Sequence, residues 1–170
     1  DRSTCVIFGD GAGAMVLGEG ENYLASKLYT KGGDDVIKIP NFIGKSPFFE
    51  GEQLKPYVHM KGQETFKFAV SAMCRDVEEV MAQAGLTPAD IAYVVPHQAN
   101  IRIIDFAVRK LQMPAEKFFV NIDRYGNTSS ASVPMAVDEL NRAGKLKRGD
   151  YLVLCAFGGG LASAACVLKW

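Results

Sequence analysis

Apolar residues recur at three- and four-residue steps from Phe66 through Ala69, Val70, Met73, Val77, Val80 and Met81 to Ala84. Lys67, Ser71, Arg75, Glu78 and Glu79 fill the other side. This period predicts a long amphipathic helix over 62–84, stopped by Gly85. A second helix is predicted over 101–111, with Ile101, Ile104, Ala107, Val108 and Leu111 on one face and Asn100 as its N-cap. Arg102, Asp105 and Arg109 share its opposite face, an ordinary arrangement for a solvated surface. A third helix is predicted over 131–143, with Gly144 at its end. Short apolar or β-branched runs at 5–8, 15–17, 91–95, 118–122, 151–157 and 164–168 read as strands. Thr87-Pro88 reads as a capped turn running to Asp90. Residues 20–58 show no sustained period and hold Pro40, Pro47, Pro56 and the aromatics Phe42, Phe48, Phe49 and Tyr57. Loops and short strand pieces covering a site are expected there. Strands alternating with helices predict an α/β layered fold.

Two stretches look alike. Val6-Ile7-Phe8-Gly9 through Met15-Val16-Leu17 and Ala156-Phe157-Gly158 through Cys166-Val167-Leu168 are each an apolar strand ending in Phe-Gly, a glycine-rich turn and a second apolar strand. Their separation is about one domain, suggesting two similar halves, with this chain holding the end of the first and all of the second. The glycines at 9, 11 and 13 invite a dinucleotide-binding reading, but that motif needs a helix after the turn and the pattern here offers another apolar run.

Composition narrows the classes. The chain is 48% hydrophobic and 22% charged, with Lys plus Arg equal to Asp plus Glu at 19 each. No bulk field argues for nucleic acid or acidic lipid. No apolar run reaches the length of a bilayer span. Cys5, Cys74, Cys155 and Cys166 form no C-x-x-C pair and read as buried free thiols of a reducing, cytoplasmic compartment. With only His59 and His97 beside them, no metal site is expected. Cys5–Phe8 is strand-like with almost nothing before it, so the chain is expected to be part of a longer or split protein.

Three candidate groups sit at predicted strand ends. His97 follows Val94-Val95-Pro96 and precedes a helix start, where a neutral imidazole either packs structurally or donates or shuttles a proton. Asn127, in the loop Gly126-Asn127-Thr128, is either a turn former or an amide that polarises a carbonyl. Gly158-Gly159-Gly160 is either a tight connection or a close backbone approach that directs an N–H into a cavity.

Together, Pro96-His97-Gln98-Ala99-Asn100, Gly126-Asn127-Thr128-Ser129, Phe157-Gly158-Gly159-Gly160 and Phe8-Gly9-Asp10-Gly11-Ala12-Gly13-Ala14 resemble the β-ketoacyl-acyl-carrier-protein synthase III family of the thiolase superfamily. The resemblance covers essentially the whole chain. It implies a thiolase-like layered fold, here its C-terminal half, with a mixed sheet and helices on both faces. It divides the chain into the end of an N-terminal half (1–18), a connecting and covering segment (19–58) and a C-terminal half (59–170). Such enzymes condense acyl-coenzyme A with malonyl-acyl-carrier protein, losing carbon dioxide, to begin type II fatty-acid synthesis. The resemblance assigns His97 and Asn127 to enolate stabilisation and Gly159 to an oxyanion hole. It places Arg2, Ile7, Phe8, Met60, Gly62, Phe66, Ala99, Asn100 and Phe157 along the coenzyme A and substrate path, with Ser3 departing from the glycine of some members. Gln98, Arg102 and Lys67 are expected at the carrier-protein surface.

The resemblance implies no resident cofactor, coenzyme A entering as the thioester substrate. It implies a homodimer of the complete enzyme. The family's nucleophilic cysteine sits at a helix start in the N-terminal half, and no cysteine here has that context. The N-terminal half, in the same or another chain, is therefore an expected partner. A secondary-metabolite condensing or transacylating enzyme of the same fold, or a non-catalytic carrier-binding module, are the competing readings.

Overall fold

A computed structural model describes residues 4–40, 48 and 56–170. Its centre is a four-stranded sheet of β1 (Tyr23–Thr30), β4 (Ile91–Pro96), β5 (Tyr151–Gly158) and β6 (Ala162–Lys169), in the order β1-β6-β5-β4. β4 and β5 are parallel, whereas β6 is antiparallel to both β5 and β1. A ribbon of β2 (Ile37–Lys38) and β3 (His59–Met60) lies apart from this sheet. The helices are α1 (Gly62–Gln83), α2 (Ile101–Leu111), the single turn α3 (Ile122–Tyr125) and α4 (Ser132–Arg142). The sheet is mixed and carries helices on both faces, as expected.

α1 and α2 cover one face. Met73, Val77 and Val80 of α1 and Ile104 and Ala107 of α2 pack with Ile91, Val94, Val153, Cys155, Ala165 and Val167. Alternation along β5 and β6 decides which residues join them, because successive strand side chains point to opposite faces. On the other face, Ala136, Val137 and Leu140 of α4 pack with Val95, Phe119 and Leu152. α1 ends as its pattern predicts: Gly85 adopts φ +68° and the Leu86 N–H reaches back to Met81 O. Asn100 caps α2, its Oδ1 accepting the Arg102 N–H at 2.9 Å.

β1 has no clear signature in the sequence. Its inward positions are Ala25, Lys27 and Tyr29, with Ser26 and Leu28 on the other side and a register shift between Tyr23 and Ala25. Lys27 pairs with Glu79 of α1 at 2.6 Å, and Arg75 of α1 stacks 3.9 Å over the Tyr29 ring. A strand with polar groups on its packed face, Leu28 on its outer face and a register shift at its start hides the usual alternation. That outer face is open: Leu28 is 81% exposed.

Three strand expectations fail. Residues 4–7 form a turn, and Phe8 makes only an isolated parallel bridge to Asn127. Residues 15–17 have no regular structure, with Met15, Val16 and Leu17 at 47%, 101% and 90% exposure. The hairpin likeness between the two ends therefore holds only for β5 and β6. Residues 118–122 give one bridge, Phe118 to Val94, before α3 begins. In each case apolar composition is present but a partner ladder is not, and ladder hydrogen bonds are what define a strand. Cys5 is exposed rather than buried. Of the covering segment's aromatics, Phe42 and Phe49 lie outside the described residues, as does Pro47.

Candidate active site

β4 delivers His97. Its N–H extends the parallel pairing by one bond, to Cys155 O at 2.7 Å. The chain then turns sharply, with Ala99 N–H donating to His97 O, and enters α2. The ring meets Phe157 edge-on with centroids 5.5 Å apart. Its Nδ1 lies 2.6 Å from Ser132 Oγ. Nε2 has no partner among the described residues, and the sole sealed, unpartnered side-chain polar atom among them is Asp76 Oδ2. His97 borders two cavities, one of about 720 Å³ and one of about 450 Å³ that Ser132 also lines, and Nε2 is the ring nitrogen left without a protein partner. Burial lowers the imidazole pKa from 6.5 to about 4, so the ring is neutral at physiological pH.

α3 and Gly126 deliver Asn127. Gly126 takes φ +67°, turning the chain out of the helical turn. Asn127 Oδ1 accepts the Ser129 N–H at 2.9 Å, which orients the amide and leaves Nδ2 as its unpaired end. The backbone is clipped from both sides. Asn127 N–H donates to Ile7 O, and Gly9 N–H donates to Asn127 O, both at 3.0 Å. Gly9 permits this approach: a Cβ there would lie 1.9 Å from the Tyr125 carbonyl oxygen.

Gly159 follows β5 beneath the β2–β3 ribbon, where a Cβ would sit 3.3 Å from Ile37 O. The turn is anchored to the end of β1 by paired bonds between Lys31 and Leu161 and by Gly33 N–H to Gly160 O. His97, Asn127 and Gly159 line one cavity of about 720 Å³. A neutral imidazole, a side-chain amide and a glycine backbone on the lining of one cavity are groups able to donate hydrogen bonds without exchanging a proton.

Most of the expected path residues meet there. Ile7, Phe8, Met60, Gly62, Phe66, Ala99, Asn100 and Phe157 all line this cavity. Arg2 lies outside the described residues. Lys67 and Arg102 are exposed and do not line it. Burial pushes up the thiol pKa values of Cys74, Cys155 and Cys166, the opposite of what a thiolate nucleophile requires.

Gln98 requires correction as a carrier-protein contact. It is 1% exposed. Its Nε2 donates to Pro96 O and Phe119 O at 2.9 and 3.1 Å, and its Oε1 accepts the Asn121 N–H at 3.1 Å. The amide is a clamp between the end of β4 and the segment leading to Asn127. Gln98→Leu strands three buried backbone groups, and we expect a loss of about 2–4 kcal/mol in urea unfolding. A loss below about 0.5 kcal/mol would remove this role.

The sequence reading missed Gly9, Ser129 and Ser132 as individual contributors. Gly9 was visible only as part of a glycine-rich motif, Ser129 only as part of the Gly126-Asn127-Thr128-Ser129 motif, and Ser132 only as a residue of the third predicted helix.

Comparison with known proteins supplies the family. Residues 81–170 match the family described as 3-oxoacyl-[acyl-carrier-protein (ACP)] synthase III C terminal, and residues 1–32 match 3-oxoacyl-[acyl-carrier-protein (ACP)] synthase III. The chain belongs to the 3-oxoacyl-[acyl-carrier-protein] synthase III family. Within this family, the chain is 47% identical to the β-ketoacyl-[acyl-carrier-protein] synthase III of Clostridium acetobutylicum, over all of this chain and 54% of that protein. The fold is similar to the crystal structure of the Thermus thermophilus synthase III, with a TM-score of 0.86 at 42% identity, covering 100% of this chain and 54% of that one. The Aquifex aeolicus synthase III structure gives a TM-score of 0.84 at 39% identity, covering 100% and 52%. These family members carry the thiolase-like α/β fold expected from the motifs. The chain spans about half the length of the curated relatives it matches.

Proposed function

We propose that this chain supplies the decarboxylation and condensation half of a β-ketoacyl-[acyl-carrier-protein] synthase III, with the nucleophilic cysteine contributed by the remaining half of the family length. The observation that carries the reading is the shared cavity: a neutral His97, an Asn127 amide fixed with Nδ2 free, and Gly159 all line it. A malonyl-thioester bound there loses its carboxylate as carbon dioxide. The electron pair of the broken C–C bond moves into the thioester, giving an enolate whose oxygen accepts hydrogen bonds from His97 Nε2–H and Asn127 Nδ2–H. The enolate carbon then attacks the acyl-cysteine carbonyl. The tetrahedral oxyanion is met by the Gly159 N–H, and collapse expels the cysteine thiolate with the β-ketoacyl-thioester as product.

The acyl donor is an acyl-coenzyme A, bound as substrate along the path lined by Met60, Gly62 and Phe66, and no resident cofactor takes part. The acceptor is malonyl-acyl-carrier protein. Arg102 and Lys67 are solvent-facing and offer positive charge to an acidic carrier. The open sheet face of Leu28, with exposed Val16 and Leu17, is the surface against which the remaining half packs. We place the complete enzyme as a cytoplasmic homodimer.

The test measures carbon dioxide release and β-ketoacyl product from malonyl-carrier protein and a panel of acyl-coenzyme A donors, using the complete enzyme. No product with any donor overturns the reading. In the same assay, Arg102→Glu raises KM for malonyl-carrier protein about tenfold and leaves KM for malonyl-coenzyme A unchanged. Equal effects on both substrates would remove Arg102 from the carrier surface.

A further inference from the structure

One ring nitrogen of His97 is held by the protein, and the other is left without a protein partner in a residue that lines the cavity shared with Asn127 and Gly159. Only an N–H on the cavity side can donate to an enolate oxygen, and a neutral imidazole carries one N–H. The tautomer therefore decides whether His97 can play the role proposed above. Its Nδ1 touches Ser132 Oγ at 2.6 Å, across 35 residues of sequence. Ser132 is 2% exposed at the edge of a second cavity of about 450 Å³, and His97 Nδ1 is the one protein acceptor for its hydroxyl among the described residues. The Gln98 backbone N–H also points at this oxygen, at 3.4 Å. That group is a donor only, so the serine oxygen accepts from it and retains its own O–H to donate. Were Nδ1 protonated instead, two N–H groups would converge on one oxygen and the buried O–H would have no recorded acceptor. The donor count favours one direction: Gln98 N–H to Ser132 Oγ, and Ser132 O–H to His97 Nδ1.

We propose that Ser132 is a positioning residue that holds His97 as its Nε2–H tautomer, aiming the sole imidazole N–H into the cavity. The inference rests on the reading of His97 as an enolate stabiliser and adds the group that makes it competent. Ser132 is the first residue of α4, so its backbone is fixed by the helix and its side chain by the Gln98 turn. The relay reaches from α4, on one side of the sheet, to the end of β4.

The test is made in the complete enzyme with ¹³C,¹⁵N-labelled histidine. His97 is assigned by the signals lost in His97→Gln. At pH 7 the wild type is expected to show the neutral Nε2–H signature. Ser132→Ala, which removes only the hydroxyl, is expected to move His97 toward a mixture or toward Nδ1–H. It should lower kcat for malonyl-thioester decarboxylation roughly 10- to 100-fold, the effect of removing an outer partner that orients a functional histidine. KM should change by less than about threefold, because the lost interaction acts in the transition state. Ser132→Thr restores the hydroxyl and should return both tautomer and kcat most of the way. A wild-type Nδ1–H signature overturns the proposal, as does a Ser132→Ala enzyme with unchanged tautomer and kcat. Failure of the wild type to release carbon dioxide sinks the functional reading, and the tautomer measurement then decides the Ser132 relay by itself.

Discussion

His97→Ala is expected to lower kcat for carbon dioxide release from a malonyl-thioester by roughly 10²- to 10³-fold, the usual effect of deleting one oxyanion donor. His97 lines the same cavity as Asn127 and its Nε2 has no partner among the described residues, so its contribution is expected toward the enolate rather than the resting protein. The KM for the thioester should move little. Because burial holds the imidazole pKa at about 4, the wild-type decarboxylation rate should be flat from pH 6 to 8 on account of this group. A rate that rises through pH 6.5 with His97 deprotonation would show instead that the ring titrates near its ordinary value and acts as a base. The same shift has a stability consequence with a definite sign. The folded pKa lies below the unfolded one, so the unfolded chain binds the proton first as pH falls. Stability attributable to His97 is therefore complete above pH 6.5 and lost as pH drops toward 4. The gap corresponds to about 3 kcal/mol. Urea unfolding at pH 7 and pH 4.5 should show this loss in the wild type and a smaller one in His97→Ala.

Gly9→Ala is expected to damage the site from outside the cavity. The added Cβ would meet the Tyr125 carbonyl oxygen at 1.9 Å, and a backbone atom cannot rotate away as a flexible side chain does. Either the 7–9 segment or the Tyr125–Gly126 turn must shift by more than about 1 Å, and both hold Asn127. The bonds from Gly9 N–H to Asn127 O and from Asn127 N–H to Ile7 O are the ones at risk. A displacement of about 1 Å in a positioned group lowers a rate by on the order of 10²-fold, so decarboxylation should fall by that factor. Thermal unfolding should also occur several degrees lower. Gly18 provides the control, since a Cβ there meets nothing within 4 Å. Gly18→Ala should leave both measurements within error. Wild-type decarboxylation in Gly9→Ala would show that Asn127 is held without the clip.

The two variants probe different kinds of information. His97 was legible because a β-branched run, a proline and a helix start converge on it, and strand ends are where α/β folds expose functional groups. Gly159 was marked by the same position at a strand end, and Asn127 by a polar loop after a predicted strand that the structure replaces with the α3 turn. Each alone had an ordinary structural explanation, and only the combination of motifs pointed to one chemistry. The structure brings the three to one cavity. Gly9 was legible as a glycine, but its pressure against Tyr125 depends on a segment more than a hundred residues away.

Gln98 shows the opposite failure. It lies inside the most informative motif, and an amide between a histidine and a helix start looks suited to a partner surface. Its side chain instead turns inward, because Pro96 O, Phe119 O and Asn121 N–H need a buried partner. β1 was missed because its packed face carries Lys27, which pairs with Glu79 of α1, and Tyr29, whose ring lies under the Arg75 guanidinium of α1.

By itself the sequence determined the amphipathic helices and their caps, the buried strands β4, β5 and β6, and the positions of His97, Asn127 and Gly159 at element ends. These follow from local periodicity, turn chemistry and backbone freedom, which act over a few residues. Only the tertiary structure decided that residues 5–8, 15–17 and 118–122 are not strands, that Gln98 is a clamp, that Ile7 and Gly9 clip Asn127, and that Ser132 meets His97. Each of these depends on a hydrogen bond or close contact, or on the absence of a paired ladder, between segments distant in sequence. Such pairings are fixed by the packing of the whole sheet, not by the residues on either side.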